Sequence, residues 1–117
     1  MERVELLTVE HTFWINKPGV QMLVLHPIFS MPPGWEKKGW RERREAVVVV
    51  RPDGSQIEAT AQINMTHLNI PGPDVNPRDR WRITVWLTDR AESEVPVGSK
   101  LLVCREVRDT ILPEKAA

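Results

Sequence analysis

Trp35 and Trp40 alternate with Lys37, Lys38, Arg41, Arg43 and Arg44 in one stretch of the chain. Cations in such a setting neutralise phosphates, and indole rings offer stacking faces to unpaired bases. Single-stranded nucleic acid is the ligand this chemistry would serve. Glu36, Glu42 and Glu45 oppose it, three acidic groups against five basic ones. The competing reading is a solvated loop whose tryptophans fold back over the core or stack with arginine. A second constellation is Arg78, Arg80 and Arg82 around Trp81. In the run from Trp81 to Thr88, Trp81, Ile83, Val85 and Leu87 share one parity and form the obvious core face. Arg82, Thr84, Trp86 and Thr88 share the other. Trp86 therefore stands on the polar face beside Arg82, the composition of a protein-interface hot spot. The alternative is that the Ser30–Glu45 loop folds over Trp86.

Metal and catalytic chemistry have thinner support. His11, His26, His67 and Cys104 are potential zinc ligands, but no two of them are spaced as in a structural zinc site. His67 continues the apolar parity of its segment, and Cys104 alternates with Leu102 like a small hydrophobe. A nucleophile needs a base within reach. Ser30, Ser55, Ser93 and Ser99 lie outside any nucleophile-elbow context. Asp53, Asp74, Asp79 and Asp89 sit in turn-like settings, where aspartate is favoured for its local hydrogen bonds. Glu36, Glu42 and His26 could converge in space, which spacing along the chain does not show. No catalytic residue, metal ligand or cofactor-binding residue is assigned.

The elements that must position these residues read as strands. Ten prolines punctuate 117 residues, which is the length of one domain, taken as 1–117. Leu6–Asn16 is rich in apolar and β-branched residues, and Lys17-Pro18-Gly19 turns it into Val20–Ile28. Ala46–Val50 is apolar at every position, as in a strand buried on both sides. Pro52-Asp53-Gly54 is a strong turn. Beyond it Ile57, Ala59, Ala61, Ile63 and Met65 alternate with polar residues, the pattern of a half-buried strand. Its two inward alanines imply a bulky neighbour, a tryptophan being one candidate. Trp81–Leu87 and Lys100–Cys104 complete six strands. Two long connections, Ser30–Glu45 and Ile70–Arg80, are placed to carry function. No segment shows a helical period over three turns.

Sixteen basic residues balance sixteen acidic ones, so no whole-protein field draws nucleic acid or anionic membrane. One cysteine cannot close an intramolecular disulfide. The start lacks the basic and apolar regions of a signal peptide, and no apolar run approaches a bilayer span. A cytoplasmic protein without membrane attachment is expected.

The order of features resembles domain 2 of translation GTPases, the β-barrel of the elongation factor Tu type. Val9-Glu10-His11-Thr12-Phe13-Trp14-Ile15 resembles the family's opening strand, and Lys17-Pro18-Gly19 falls at its glycine turn. Glu45–Val50 with Asp53-Gly54 resembles the middle hairpin. Leu87 followed by Glu94 to Leu102 resembles the closing pattern around Gly98. The resemblance covers residues 5–105 and implies an all-β, six-stranded antiparallel β-barrel. It departs from the family in strand two, which lacks the glycine-containing threonine and valine run, and in having Arg44 near the place of a family glycine. No phosphate-binding loop is present, so no GTPase activity is carried over.

The expected function is a non-enzymatic binding module that contacts a protein partner or a second copy of itself. The candidate surface is Trp35, Lys37, Lys38, Trp40, Arg41, Arg43, Arg44, Arg82 and Trp86. An RNA-binding accessory factor related to translation is the alternative. A ligand-binding barrel or small enzyme with a pocket under the long loops is the weaker one.

Overall fold

In the computed structural model the chain is described at residues 2–32, 34–35, 41–67 and 80–115. Seven strands form one antiparallel sheet: β1 (Arg3–Thr8), β2 (His11–Lys17), β3 (Val20–Ser30), β4 (Arg43–Val50), β5 (Gln56–His67), β6 (Trp81–Leu87) and β7 (Lys100–Cys104). Their order across the sheet is β1-β7-β4-β5-β6-β3-β2. The chain is all-β in its sheet, as expected, but two expectations fail. Among the described residues there are seven strands instead of six, and the sheet is open instead of closed into a barrel. The extra strand has a local cause, a change of partner at Val9–Glu10. Val9 donates its N–H to the Ser99 carbonyl at 2.8 Å and accepts from the Gly98 N–H at 2.9 Å, which holds it to the β7 side. Glu10 donates to the His26 carbonyl at 2.9 Å, on the β3 side. The run predicted as one strand is thus two consecutive strands at opposite edges of the sheet. No ladder joins β1 to β2.

The turns fall where their residues demand. Gly19 (φ +79°) closes the β2–β3 hairpin and Gly54 (φ +87°) the β4–β5 hairpin, in a region that side chains rarely enter. Asp53 supports the second turn by accepting from the Ser55 N–H and hydroxyl. The β3–β6 register shifts between Leu25 and Phe29, around Pro27, which has no N–H to give.

Cross-strand pairing sorts the residues into rows. One inner row runs Trp14, Leu23, Leu87, Ala61, Glu45 across five strands. Its three central members are fully buried. Leu25, Ile63, Ile83 and Val85 extend the core beside it, and Val47, Val49, Leu101 and Val103 close it on the far side. The inward alanines have aliphatic cross-strand neighbours, Val47 for Ala59 and Leu87 for Ala61, instead of a tryptophan. Val48 and Val50 are only half-buried, so β4 is covered fully on one face and not on both. Helix α1 (Arg105–Ile111) follows β7 directly and buries Val107 and Ile111, one turn apart, against the core. It has two turns, too short for a period sought over three. No helix among the described residues is long and apolar enough to cross a membrane.

Candidate functional site

The rows divide the predicted surface. In β4 the side chains of Arg43 and Arg44 point to opposite faces. Arg43 pairs in register with buried Ile63, on the core parity, at the end of the sheet. There its guanidinium meets Glu45 at 3.0 Å and Glu106 of α1 at 3.1 Å. Burial disfavours its charge, but the bond to Glu106 and the nearby Glu45 outweigh that and hold its pKa above the ordinary arginine value. Arg43 is a structural tie between β4 and α1, not part of a common surface with Arg44.

Arg44, Arg82 and Trp86 do share the outer face. Arg44 is exposed and donates to the Gln62 amide at 3.4 Å. Arg82 is half-buried and donates to the Trp81 carbonyl at 2.9 Å. Trp86 is half-buried, and its indole N–H is buried with no hydrogen-bond partner among the described residues. Trp35 leaves this surface altogether. It packs against the core and lies 6.2 Å from the Trp81 ring, which meets His67 edge-on at 4.8 Å. Arg41 is exposed just ahead of β4. Lys37, Lys38 and Trp40 lie outside the described residues, as does most of the Ile70–Arg80 connection.

Trp86 belongs to an outer row that runs Phe13, Val24, Trp86, Gln62, Arg44 across β2, β3, β6, β5 and β4. The two halves of the row differ. On the β5–β6 half the neighbouring Asn64 and Thr84 are buried. They belong to a polar network in which Gln62 donates to Asn64 at 3.1 Å and the Thr66 and Thr84 hydroxyls lie 2.8 Å apart. On the β2–β3 half the row opens to solvent, and Phe13 is 58% exposed. Ile15 and Met22 pair beside it, both half-buried, and extend an apolar strip.

An aromatic cluster flanks this strip. His11 and His26 pair across β2 and β3, and their rings stack at 4.1 Å and 15°. Phe13 stands edge-on to both, at 5.6 Å from His11 and 5.3 Å from His26. Near-parallel imidazoles set their lone pairs side by side, so the pair does not converge on a common point as chelating ligands would. Burial pushes the His26 pKa below the ordinary histidine value, neighbouring His11 lowers it further, and Glu10 pulls against both. Stacking therefore works best with His26 neutral. Sequence reading grouped these histidines with His67 and Cys104 as potential metal ligands, and gave Phe13 only a place in an opening strand. The signal was the alternation of His11, Phe13 and Ile15 with Thr12, Trp14 and Asn16. It was hidden because this segment was joined to the one before it.

Two of the surface depressions have ionisable side chains in their lining. One of about 730 Å³ lies at the β2–β3 turn, lined by Asn16 to Gln21 and Thr88, with Lys17 as its ionisable side chain. Another of about 430 Å³ collects Glu2, Arg43, Glu45, Cys104, Arg105 and Glu106. Its charges pair with one another, Arg105 with Glu2 and Arg43 with Glu45 and Glu106. No group of three or more metal-ligating side chains converges among the described residues.

No family model, no curated protein and no solved structure matches the chain.

Proposed function

We propose that the chain is a non-enzymatic module that binds another protein chain through the outer face of β2 and β3. The observation that carries this is Phe13, 58% exposed and continuous with Val24 and Trp86 along one cross-strand row. An aromatic in the open beside aliphatic neighbours loses water on contact with a partner and anchors it. The His11–His26 stack and the half-buried Ile15 and Met22 supply the surround that keeps water from such an anchor. The likeness to domain 2 of translation factors belongs to the same proposal. It rests on the Val9–Ile15 run, the Lys17–Gly19 turn, Glu45–Val50 with Asp53-Gly54, and Leu87 followed by Glu94–Leu102, and it accords with a cytoplasmic binding role. RNA is the second reading, favoured by Arg44 at the far end of the Trp86 row and Arg82 on the same face.

The test compares wild type with Phe13→Ser and Trp86→Ala, each first shown to be folded by its near-ultraviolet spectrum. Association, with another protein or with itself, is followed with and without nuclease. Protein binding lost in Phe13→Ser and indifferent to nuclease supports the proposal. Binding abolished by nuclease, with a steep loss between low and moderate salt, transfers the surface to RNA. Association unchanged in both variants removes the outer row from the account.

A further inference from the structure

We propose that the occupant of the β2 edge is a second copy of the chain, paired antiparallel along β2 about a twofold axis through Trp14. This deepens the protein-binding reading and rests on it. β2 is one end of the sheet and, among the described residues, pairs only with β3. Its ladder runs without a break through seven residues, His11 to Lys17. On its other side the short turn Glu92–Glu94 comes close, but among the described residues no backbone hydrogen bond joins the two. An edge strand with unpaired backbone groups is a template for pairing, and proteins that must stay monomeric blunt such edges with charge, with bulges or with a covering segment, of which Glu92–Glu94 spans only three residues here.

The two edges of this sheet are treated differently. β1 carries Arg3 and Glu5, and its register shifts between Glu5 and Leu7. Both devices discourage pairing. β2 has no register shift, no acidic residue, and its one permanent charge at the last position, Lys17. It also displays Phe13 on one face and Trp14, 38% exposed, on the other.

The order of residues in β2 selects the partner. Reversing His-Thr-Phe-Trp-Ile-Asn-Lys about its centre sets Trp14 against Trp14, Phe13 against Ile15, Thr12 against Asn16 and His11 against Lys17. Every apolar residue meets an apolar one, and every polar residue a polar one. Phe13 and Ile15 lie on the outer face, so the two copies would join their apolar strips into one band. This is the self-complementarity that an isologous contact requires. A strand from an unrelated protein would match this edge only by chance. Seven residues on each side bury less than the roughly 1,600 Å² of a standard interface, so the dimer should dissociate in the micromolar range.

Sedimentation equilibrium from about 1 to 200 µM tests the state, a range that brackets micromolar dissociation. A reversible monomer–dimer equilibrium is expected, weakened at least tenfold by Ile15→Lys, which sets a charge against Phe13 of the second copy. The register is tested by disulfide formation with Cys104 replaced by Ala. The Trp14→Cys variant faces itself and should cross-link under mild oxidation, whereas the Thr12→Cys variant faces Asn16 and should not. A dimer that ignores Ile15→Lys overturns self-pairing, as does a Trp14→Cys variant that cross-links no faster than Thr12→Cys. So does a monomer at all concentrations. If that monomer still binds a different protein in a Phe13-dependent way, the binding reading survives. If it binds nothing, both fall.

Discussion

Phe13→Ala and Leu87→Ala, made separately, measure what the two sides of the sheet are for. Leu87 is fully buried between Leu23 and Ala61 in the inner row. Truncation there opens a cavity that Ala61 has no atoms to fill. Leu→Ala changes at such sites cost about 3–5 kcal/mol. Phe13 keeps 58% of its surface in water. A phenylalanine offers about 200 Å² for burial, so the share withheld from water is about 80 Å². At about 25 cal/mol per Å² this stabilises by about 2 kcal/mol. Alanine retains part of it, which leaves a loss of about 1–1.5 kcal/mol for Phe13→Ala. For a chain of this length each kcal/mol is worth about 4 °C in Tm. Leu87→Ala should therefore lower Tm by about 12–20 °C and Phe13→Ala by about 4–6 °C. Urea titration followed by tryptophan fluorescence at about 0.05 µM protein gives the free energies, well below the micromolar range in which the chains would associate. Equal losses for the two variants would refute the division of the sheet into a packed face and an available one.

The His11–His26 stack has a measurable electrostatic consequence. By NMR His26 should titrate below the ordinary value of 6.5, His11→Gln should raise it, and Glu10→Gln should lower it further. The folded chain then holds its proton less tightly than the unfolded chain, so unfolding takes up protons and stability falls with falling pH. The contribution is whole above pH 6.5 and is lost as pH drops through the lowered His26 value. Urea midpoints that rise on acidification over that window, in His11→Gln background-corrected form, would contradict it. Gly98→Ala should cost about 1–2 kcal/mol from its backbone alone, plus a contact with Pro52, since Gly98 has φ +93° and a Cβ there would lie 3.3 Å from the Pro52 ring. Gly19→Ala, with a similar φ but open space around it, should cost less, and denaturant titration of both ranks them. Glu106→Gln removes the α1 end of the Arg43 tie and should cost about 0.2–1 kcal/mol, shrinking in 1 M salt because Glu106 is well exposed.

The inner face was legible in the sequence because burial writes itself as parity. Ile57 to Met65 and Trp81 to Leu87 alternate with few exceptions, and both face the core as read. The glycine turns at Gly19 and Gly54 were legible for a local reason, the need for positive φ. What stayed hidden depends on distant partners. The division of Leu6–Asn16 into β1 and β2 is made by Ser99 and His26, neither of which marks the segment itself. Arg43 and Arg44 look like one basic cluster until the register assigns them to opposite faces. Whether Trp86 was exposed or covered stayed open because parity alone cannot tell how much neighbouring strands shelter a residue. Phe13, further along the same row at the sheet edge, is the one left in water. α1 escaped because two turns give only one repeat of the Val107–Ile111 spacing.

The central claim is that the outer face at β2 is where another protein chain sits. A photo-crosslinking amino acid placed at Phe13 tests it directly, with the same group at Val97 as control, 64% exposed. The expected result is a discrete protein adduct from position 13, insensitive to nuclease and absent from position 97, with the mass of two chains if the partner is a second copy. No adduct from position 13, or equal adducts from both positions, would contradict it.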